Sequence, residues 1–421
     1  MVEILYGKGS VTCPVEPNAV LTAHGSHAKP AESGFELVRK AMAAPIGSEP
    51  LSVLAQGKRR ATVIISDHTR PVPSKDILPH MLRELREGNP DIEITLLVAT
   101  GCHRGTTPEE LAAKMGQEIA ERETIKIHDA FNAEENVEIG VLPSGAPLVI
   151  DRAAVETDLL VAEGFIEPHF FAGFSGGRKS VLPGVCSATT VFGNHCGAFI
   201  ADEHARTGIL DGNPIHKDML AAAEMAKLAY IVNVVIDDDK KTIAAFAGNS
   251  VLAHEAGVNW LRGQCQVKAV PGDIVITSNG GAPLDQNLYQ CVKGLTAAEA
   301  SAKPGAVLIM CAEMADGSGG EGFYRSLLEC ESPAQLYATY CATPQNETVP
   351  DQWESQVLAR MLMKHRVIFV TRKEMAQIVR DMKMEYAETL EEALAMARET
   401  VGEAGSITAI PNGISVVVIA K

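Results

Sequence analysis

Between His169 and His195 the chain reads HFFAGFSGGRKSVLPGVCSATTVFGNH, and this segment concentrates residues able to do chemistry. Gly173, Gly176 and Gly177 let the backbone adopt positive φ and approach a ligand closely. A turn of this kind can aim several N–H groups at an anion. Arg178 and Lys179 add positive charge, and a lysine amine can also form a covalent bond. His169 and His195 are candidate proton carriers or metal ligands. Cys186 and Cys196 are weaker candidates, because a buried thiol is more often inert. The segment is not a nucleotide-triphosphate loop. That signature needs glycine directly before the Lys-Ser pair, and position 178 is arginine.

Other candidates stand apart in the chain. Asp67 and Arg70 flank Thr69 in SDHTRP; Asp67 can cap a helix, whereas the fixed backbone exit at Pro71 suits an Arg70 held against an anion. His103 lies in the turn TGCHRG and is either a hydrogen-bonded turn residue or a proton carrier. In DQNLYQCVKG, Gln286, Gln290 and Lys293 are spaced four and three apart, as are Tyr289 and Lys293 at four, so they share a helix face. An amide and an ammonium on one face can hold a carboxylate; the alternative is a solvated surface. His68, His80, His128 and His365 receive no role.

These residues need elements to place them. Short apolar runs at 61–66, 92–100, 157–163 and 229–236 read as strands, with a helix over 74–86 and another opening at Thr107-Pro108. A second alternation starts near 270, with strands at 273–278, 306–311, 367–370 and 407–419 and a helix from about 284. The pattern predicts an α/β protein of two α/β domains with mostly parallel sheets and the active site in the cleft between them. We expect an N-terminal cofactor-binding domain over 1–265, to which 406–421 is able to return, and a C-terminal domain over 266–405 that adds substrate contacts. Asp67, Arg70, His103 and His169 each follow a strand, where ligands of such sheets bind.

Composition narrows the classes. A chain of 421 residues exceeds the ~250–300 residues of one core. A net charge of −16 disfavours nucleic acid and membrane surfaces as partners. An anionic substrate therefore needs local Lys and Arg. Nine cysteines without a C-x-x-C pair read as a reducing, cytoplasmic location. The N-terminus reads as an opening strand, not a signal peptide. No apolar run reaches ~18 residues, so no membrane helix is expected. No H-E-x-x-H occurs, and the dinucleotide G-x-G-x-x-G is missing after the early strands.

Five motifs in order, SDHTRP (66–71), ATGCHRGTT (99–107), EPHFFAGFSGGRKSVLPG (167–184), GNHCG (193–197) and DQNLYQCVKGL (285–295), resemble those of the nickel-pincer lactate racemase family. The resemblance implies a racemase or epimerase of a 2-hydroxy acid that works by reversible hydride transfer through a planar 2-keto acid. It implies nickel held in a pyridinium-3,5-bis-thiocarboxylic acid mononucleotide, a pincer cofactor joined covalently to Lys179. It assigns His195 to the metal, and His103 and His169 to acid/base catalysis. Asp67, Thr69, Arg70, Ser175, Gly176 and Gly177 fall to the cofactor side, and Gln290, Lys293, Tyr289 and Trp353 to the substrate. Partners would be the small hydroxy acid and the proteins that make the cofactor and insert its nickel. Two other classes could use the same residues: a zinc- or magnesium-dependent lyase or isomerase, and a binding protein for a phosphorylated metabolite.

Overall fold

The computed structural model describes residues 1–23, 30–237 and 239–419. Two six-stranded sheets carry the molecule. The first runs, edge to edge, Thr242–Gly248, Leu228–Ile236, Leu159–Phe165, Arg60–Ser66, Glu93–Ala99 and Thr124–Ile127. Only its outer strand Thr242–Gly248 is antiparallel to its neighbour. The central strands are buried on both faces: all seven residues of Leu159–Phe165 and five of seven in Arg60–Ser66. That explains why they read as continuous β-branched runs and not as alternating ones.

Strand order sets the position of the site. From Arg60–Ser66 the chain moves outward to Glu93–Ala99 and Thr124–Ile127, then restarts on the other side of Arg60–Ser66 with Leu159–Phe165. The loops after these two neighbouring strands leave in opposite directions and open a crevice between them. The second sheet runs Glu385–Ala387, Arg366–Val370, Ala302–Cys311, Gly272–Ser278, Ile407–Ile410 and Ala19–Val20, all parallel. Its corresponding crevice, between Gly272–Ser278 and Ile407–Ile410, is filled by protein. There the N-terminal hairpin of Glu3–Tyr6 and Gly9–Thr12 turns at Gly7, whose N–H donates to Asp285 Oδ2 at 2.7 Å. The Ala282 N–H donates to the Gly7 carbonyl at 2.7 Å.

Two segments therefore lie elsewhere than the sequence reading puts them. Ile407–Ile410 pairs between Gly272–Ser278 and Ala19–Val20, so this closing segment completes the second sheet and does not return to the first. Ala420 and Lys421 fall outside the described residues. The chain's first twenty residues likewise belong with the second sheet. Strands this short owe their place to long-range pairing, which local pattern does not record. The layers between the sheets form one continuous apolar cluster, with Ile64, Leu97 and Ala162 from the first sheet and Val275, Leu308 and Met310 from the second. Among the described residues no helix is long and apolar enough to cross a membrane.

Candidate functional site

A cavity of about 480 Å³ opens at the crevice of the first sheet and is walled by both halves of the molecule. Asp67, Arg70, His103, His169, Ser175, Gly176, Lys179 and His195 line it from the first half, and Tyr289, Gln290, Lys293 and Trp353 from the second. Thr69, Gly177 and Arg178 do not line it.

The loop after Arg60–Ser66 presents Asp67, which is buried. Its Oδ1 accepts from the Thr69 N–H at 3.2 Å and from the Thr69 hydroxyl at 2.7 Å. Its Oδ2 faces His103 Nδ1 at 2.8 Å. Burial alone would raise the Asp67 pKa, but the His103 hydrogen bond, His103 and Arg70 charge and the Thr69 hydroxyl hold it below the usual value. An ionised carboxylate only accepts, so His103 Nδ1 carries the proton and the neutral ring keeps its lone pair on Nε2. The helix Pro108–Met115 steadies the His103 turn. Its Thr107 and Glu110 form a reciprocal cap, and Glu110 also grips Arg104 at 2.6 Å.

His169 is wired the other way. The Ala172 N–H donates to its Nδ1 at 3.3 Å, so the neutral ring bears its proton on Nε2. Burial, then the charges of Lys179, Lys293, His195 and Arg70, push its pKa well below the ordinary histidine value. The ring stacks on Phe170 and meets Phe171 edge-on, with centroids 5.1 and 4.6 Å away. It is held by packing while still lining the cavity.

The glycine-rich turn differs from the open anion cradle that its sequence suggests. The Ser175 N–H donates to the Glu167 carbonyl at 2.9 Å, and the Gly177 N–H to Asn233 Oδ1 at 2.7 Å. Gly176 has φ +83, and a Cβ there would lie 2.7 Å from Asn233 Oδ1 and 2.9 Å from the Phe165 carbonyl. The glycines thus let the turn press against its own sheet. Arg178 is 1% exposed and points inward. It donates to His216 Nδ1 at 3.0 Å and to the carbonyls of Gly176 and Ala172 at 3.1 and 2.9 Å, and it meets His254 Nε2 at 3.1 Å. Burial without a carboxylate lowers its pKa to about 9. Arg178 braces the turn, and Lys179 alone delivers its charge or amine to the cavity.

Lys179 and His195 both line the cavity and are the two residues suited to a metal-bearing cofactor. Burial, then Arg178 and Arg70, push the Lys179 amine well below its usual pKa, toward the neutral nucleophilic form. Its Nζ sits 5.9 Å from the Phe171 ring centroid. His195 ends the helix Ala188–Asn194 and is wedged between Phe171 and Trp353, both centroids at 5.1 Å. Burial and then Lys179 push its pKa down to about 3, so the imidazole is neutral, as a metal ligand must be. Its Nδ1 is buried without a hydrogen-bond partner. Among the described residues no three His, Cys, Asp or Glu are grouped to hold a metal ion. A metal here needs donors that a cofactor brings, and the pair Lys179 and His195 suits one anchored group and one protein ligand.

On the facing wall, Asn287 caps the helix Leu288–Ala300. Its next turn carries Gln290 and Lys293, with Lys293 Nζ donating to Gln290 Oε1 at 2.6 Å. Trp353 Nε1 donates to the Tyr289 hydroxyl at 3.1 Å and fixes the tryptophan against His195. Three carboxylates on the cavity escaped the sequence reading: Glu163, Asp351 and Glu354. Glu163, mid-strand in Leu159–Phe165, accepts from Ser74 Oγ at 2.6 Å. Glu354 follows Trp353, is 1% exposed, and has an Oε1 with no partner. The only available signal was composition: QWESQ (352–356) sets four polar residues at the head of the helix Gln352–Leu362, and all four are buried.

Known proteins resemble this chain along its whole length. Residues 6–208 match the lactate racemase N-terminal domain and residues 267–418 the lactate racemase C-terminal domain. The chain is 49% identical over 423 residues to a lactate racemase of Thermoanaerobacterium thermosaccharolyticum, covering 100% of this chain and 99% of that one. It is 47% identical over 422 residues to a lactate racemase of Lactiplantibacillus plantarum, covering 99% of each. The solved lactate racemase apoprotein from T. thermosaccharolyticum superposes with a TM-score of 0.96 over 99% of both chains. A Thermotoga maritima crystal structure, 20% identical, shares the fold at a TM-score of 0.66 over 91% of this chain and 98% of that one. With both domain matches and full-length relatives near half identity, the chain belongs to the lactate racemase family.

Proposed function

We propose that this protein interconverts the enantiomers of lactate, or of a closely related 2-hydroxy acid, in the cavity between its two sheets. The observation that carries the reading is that two histidines, delivered by different strand ends, line one cavity with Lys293 and Gln290. His103 offers a lone pair on Nε2 and His169 a proton on Nε2. A racemase needs a neutral ring to take the hydroxyl proton on one face and an imidazolium to return a proton on the other.

Lys179 would hold a nickel-bearing pyridinium nucleotide covalently and His195 would ligate its metal. When bound, that group supplies an electrophilic acceptor for the α-hydrogen as hydride. Everything else falls to the chain. Lys293 and Gln290 hold the substrate carboxylate by charge-assisted hydrogen bonds, which keeps the α-carbon in place while it is planar. His103 takes the hydroxyl proton of one enantiomer, with Asp67 stabilising the imidazolium that forms. His169, turned away from the Ala172 N–H and protonated on both nitrogens, returns a proton to the oxygen as the other enantiomer is made and is left neutral. In the reverse direction the two exchange roles. Among the described residues no three His, Cys, Asp or Glu are grouped, so a zinc lyase would lack its three protein ligands.

In this reading a division near residue 265 separates a cofactor-holding unit from one that supplies substrate contacts. The cofactor comes from biosynthetic and nickel-insertion proteins. The nine free cysteines support work in the cytoplasm.

Cofactor-loaded protein incubated with L-lactate should yield the D enantiomer by chiral chromatography; retained optical purity across a panel of 2-hydroxy acids would overturn the proposal. Lys293→Ala should raise KM by about 10–100-fold, the value of a charged hydrogen bond. Unchanged kinetics would remove Lys293 from the site. Asp67→Asn should lower kcat by on the order of 10²–10⁴-fold with little change in KM, since the His103 tautomer and its imidazolium both lose support.

A further inference from the structure

Glu354 is a buried carboxyl on the cavity wall that the reaction above does not use. Its surroundings hold little that favours ionisation. From the helix Leu288–Ala300 it meets Lys293 and Tyr289, and from the preceding turn Asp351. The helix Pro333–Ala342 brings Tyr340, engaged with Ser326 and Ser355. Gly197–Ala201 carries no charged side chain, and on Glu321–Glu329 the Arg325–Glu329 pair lies in solvent. Among the described residues Lys293 is thus the one cation set against Glu354, and it lies beyond salt-bridge distance, its ammonium directed to Gln290. One oxygen of Glu354 has no hydrogen-bond partner. Burial and Asp351 raise its pKa, and Lys293 opposes them.

We propose that Glu354 carries a proton whenever a substrate carboxylate rests on Lys293, so that binding of the hydroxy-acid anion is linked to uptake of one proton. The inference rests on Lys293 being the carboxylate site. One ammonium neutralises one carboxylate; a second ionised carboxylate in the same desolvated wall would repel the guest. In the empty cavity Lys293 and Glu354 share one proton at alkaline pH, in either arrangement. With substrate bound they hold two, one on each, and the extra proton comes from solvent. Affinity then falls as pH rises, by up to about tenfold per pH unit above the titration of the pair.

Glu354→Gln separates this from a structural role. The amide mimics the protonated carboxyl. The doubly protonated pair of the wild type can lose its proton from either group, whereas the variant can lose it from Lys293 alone. Loss through one route sets in at higher pH than loss through two. The alkaline rise of KM should therefore move to higher pH in Glu354→Gln, and the variant should bind more tightly than wild type on that limb. An unmoved limb, or one moved to lower pH, would overturn the inference; the latter would make Glu354 a counter-charge for Lys293. Calorimetry of cofactor-loaded wild type with racemic lactate, which undergoes no net conversion, in two buffers of different ionisation heat supplies a count that no variant has to fold for. It should approach one proton taken up on the alkaline side and fall toward none in acid; no uptake at any pH would overturn the inference. Lys293→Met with unchanged KM would instead defeat the carboxylate site itself.

Discussion

In single-turnover reactions with α-deuterated D- and L-lactate, His103→Ala and His169→Ala proteins should form pyruvate from opposite enantiomers. Each variant should also lose steady-state racemisation by on the order of 10²–10⁴-fold in both directions. The two results follow from one arrangement. Racemisation uses both faces of a planar intermediate, so removing either proton carrier stops the full cycle. A half-reaction uses one face, so the surviving histidine can still accept the hydroxyl proton of the enantiomer it serves: His103 at its free Nε2, and His169 once its ring gives up the 3.3 Å contact with the Ala172 N–H and frees Nε2. The two rings reach the cavity from different strand ends, His103 after Glu93–Ala99 and His169 after Leu159–Phe165.

The quench should read pyruvate, with deuterium traced in the solvent. If both variants fail with the same enantiomer, the two-face assignment is wrong. If deuterium reaches solvent as fast as lactate racemises, the α-hydrogen leaves as a proton and direct abstraction replaces hydride transfer. The wiring of the histidines adds a further expectation. Asp67 anchors His103 through an ionised carboxylate, whereas only a backbone N–H at 3.3 Å orients His169. Asp67→Asn should therefore slow the half-reaction that depends on His103 more than the other.

Much of this site was legible before any coordinates because its residues are delivered by strand ends. SDHTRP, ATGCHRG and the segment from His169 each follow an apolar run, and a parallel sheet gathers such loops at one rim. The helix face with Gln290 and Lys293 was legible from spacing alone. What stayed hidden was decided by partners far away in sequence. Arg178 reads as ligand-facing charge beside Lys179, yet His216 and His254 capture it from 38 and 76 residues away. The glycines read as an anion cradle, yet Asn233 and the Glu167 carbonyl occupy the N–H groups of Gly177 and Ser175. Glu354 gave no periodic signal, since a helix buried all round places polar and apolar residues alike in the interior. The N-terminal hairpin joined the wrong half in the sequence reading because strand pairing across the whole chain leaves no local mark.

Protein purified from a host that makes the cofactor should carry nickel near one equivalent and a covalent mass increment on Lys179, and the two should fail separately. Lys179→Ala should lose the increment outright and with it essentially all racemisation, because no other amine substitutes at that position: Arg178 is consumed as a brace and Lys293 sits on the opposite wall with Gln290. His195→Ala should keep the increment yet retain nickel at least about tenfold less well through desalting, since losing a ligand costs no less than losing a group that merely orients one. The alanine also leaves a void between Phe171 and Trp353, with a stability penalty of about 2–4 kcal/mol. His195→Phe refills that space without a nitrogen and should lose nickel while melting close to wild type. Elemental analysis and intact-protein mass spectrometry read the two quantities independently. Stoichiometric zinc with an unmodified Lys179 in active protein would end the pincer assignment and return the histidines to a simple metal enzyme. Nickel that survives in His195→Phe would move the protein ligand elsewhere while leaving Lys179 as the anchor.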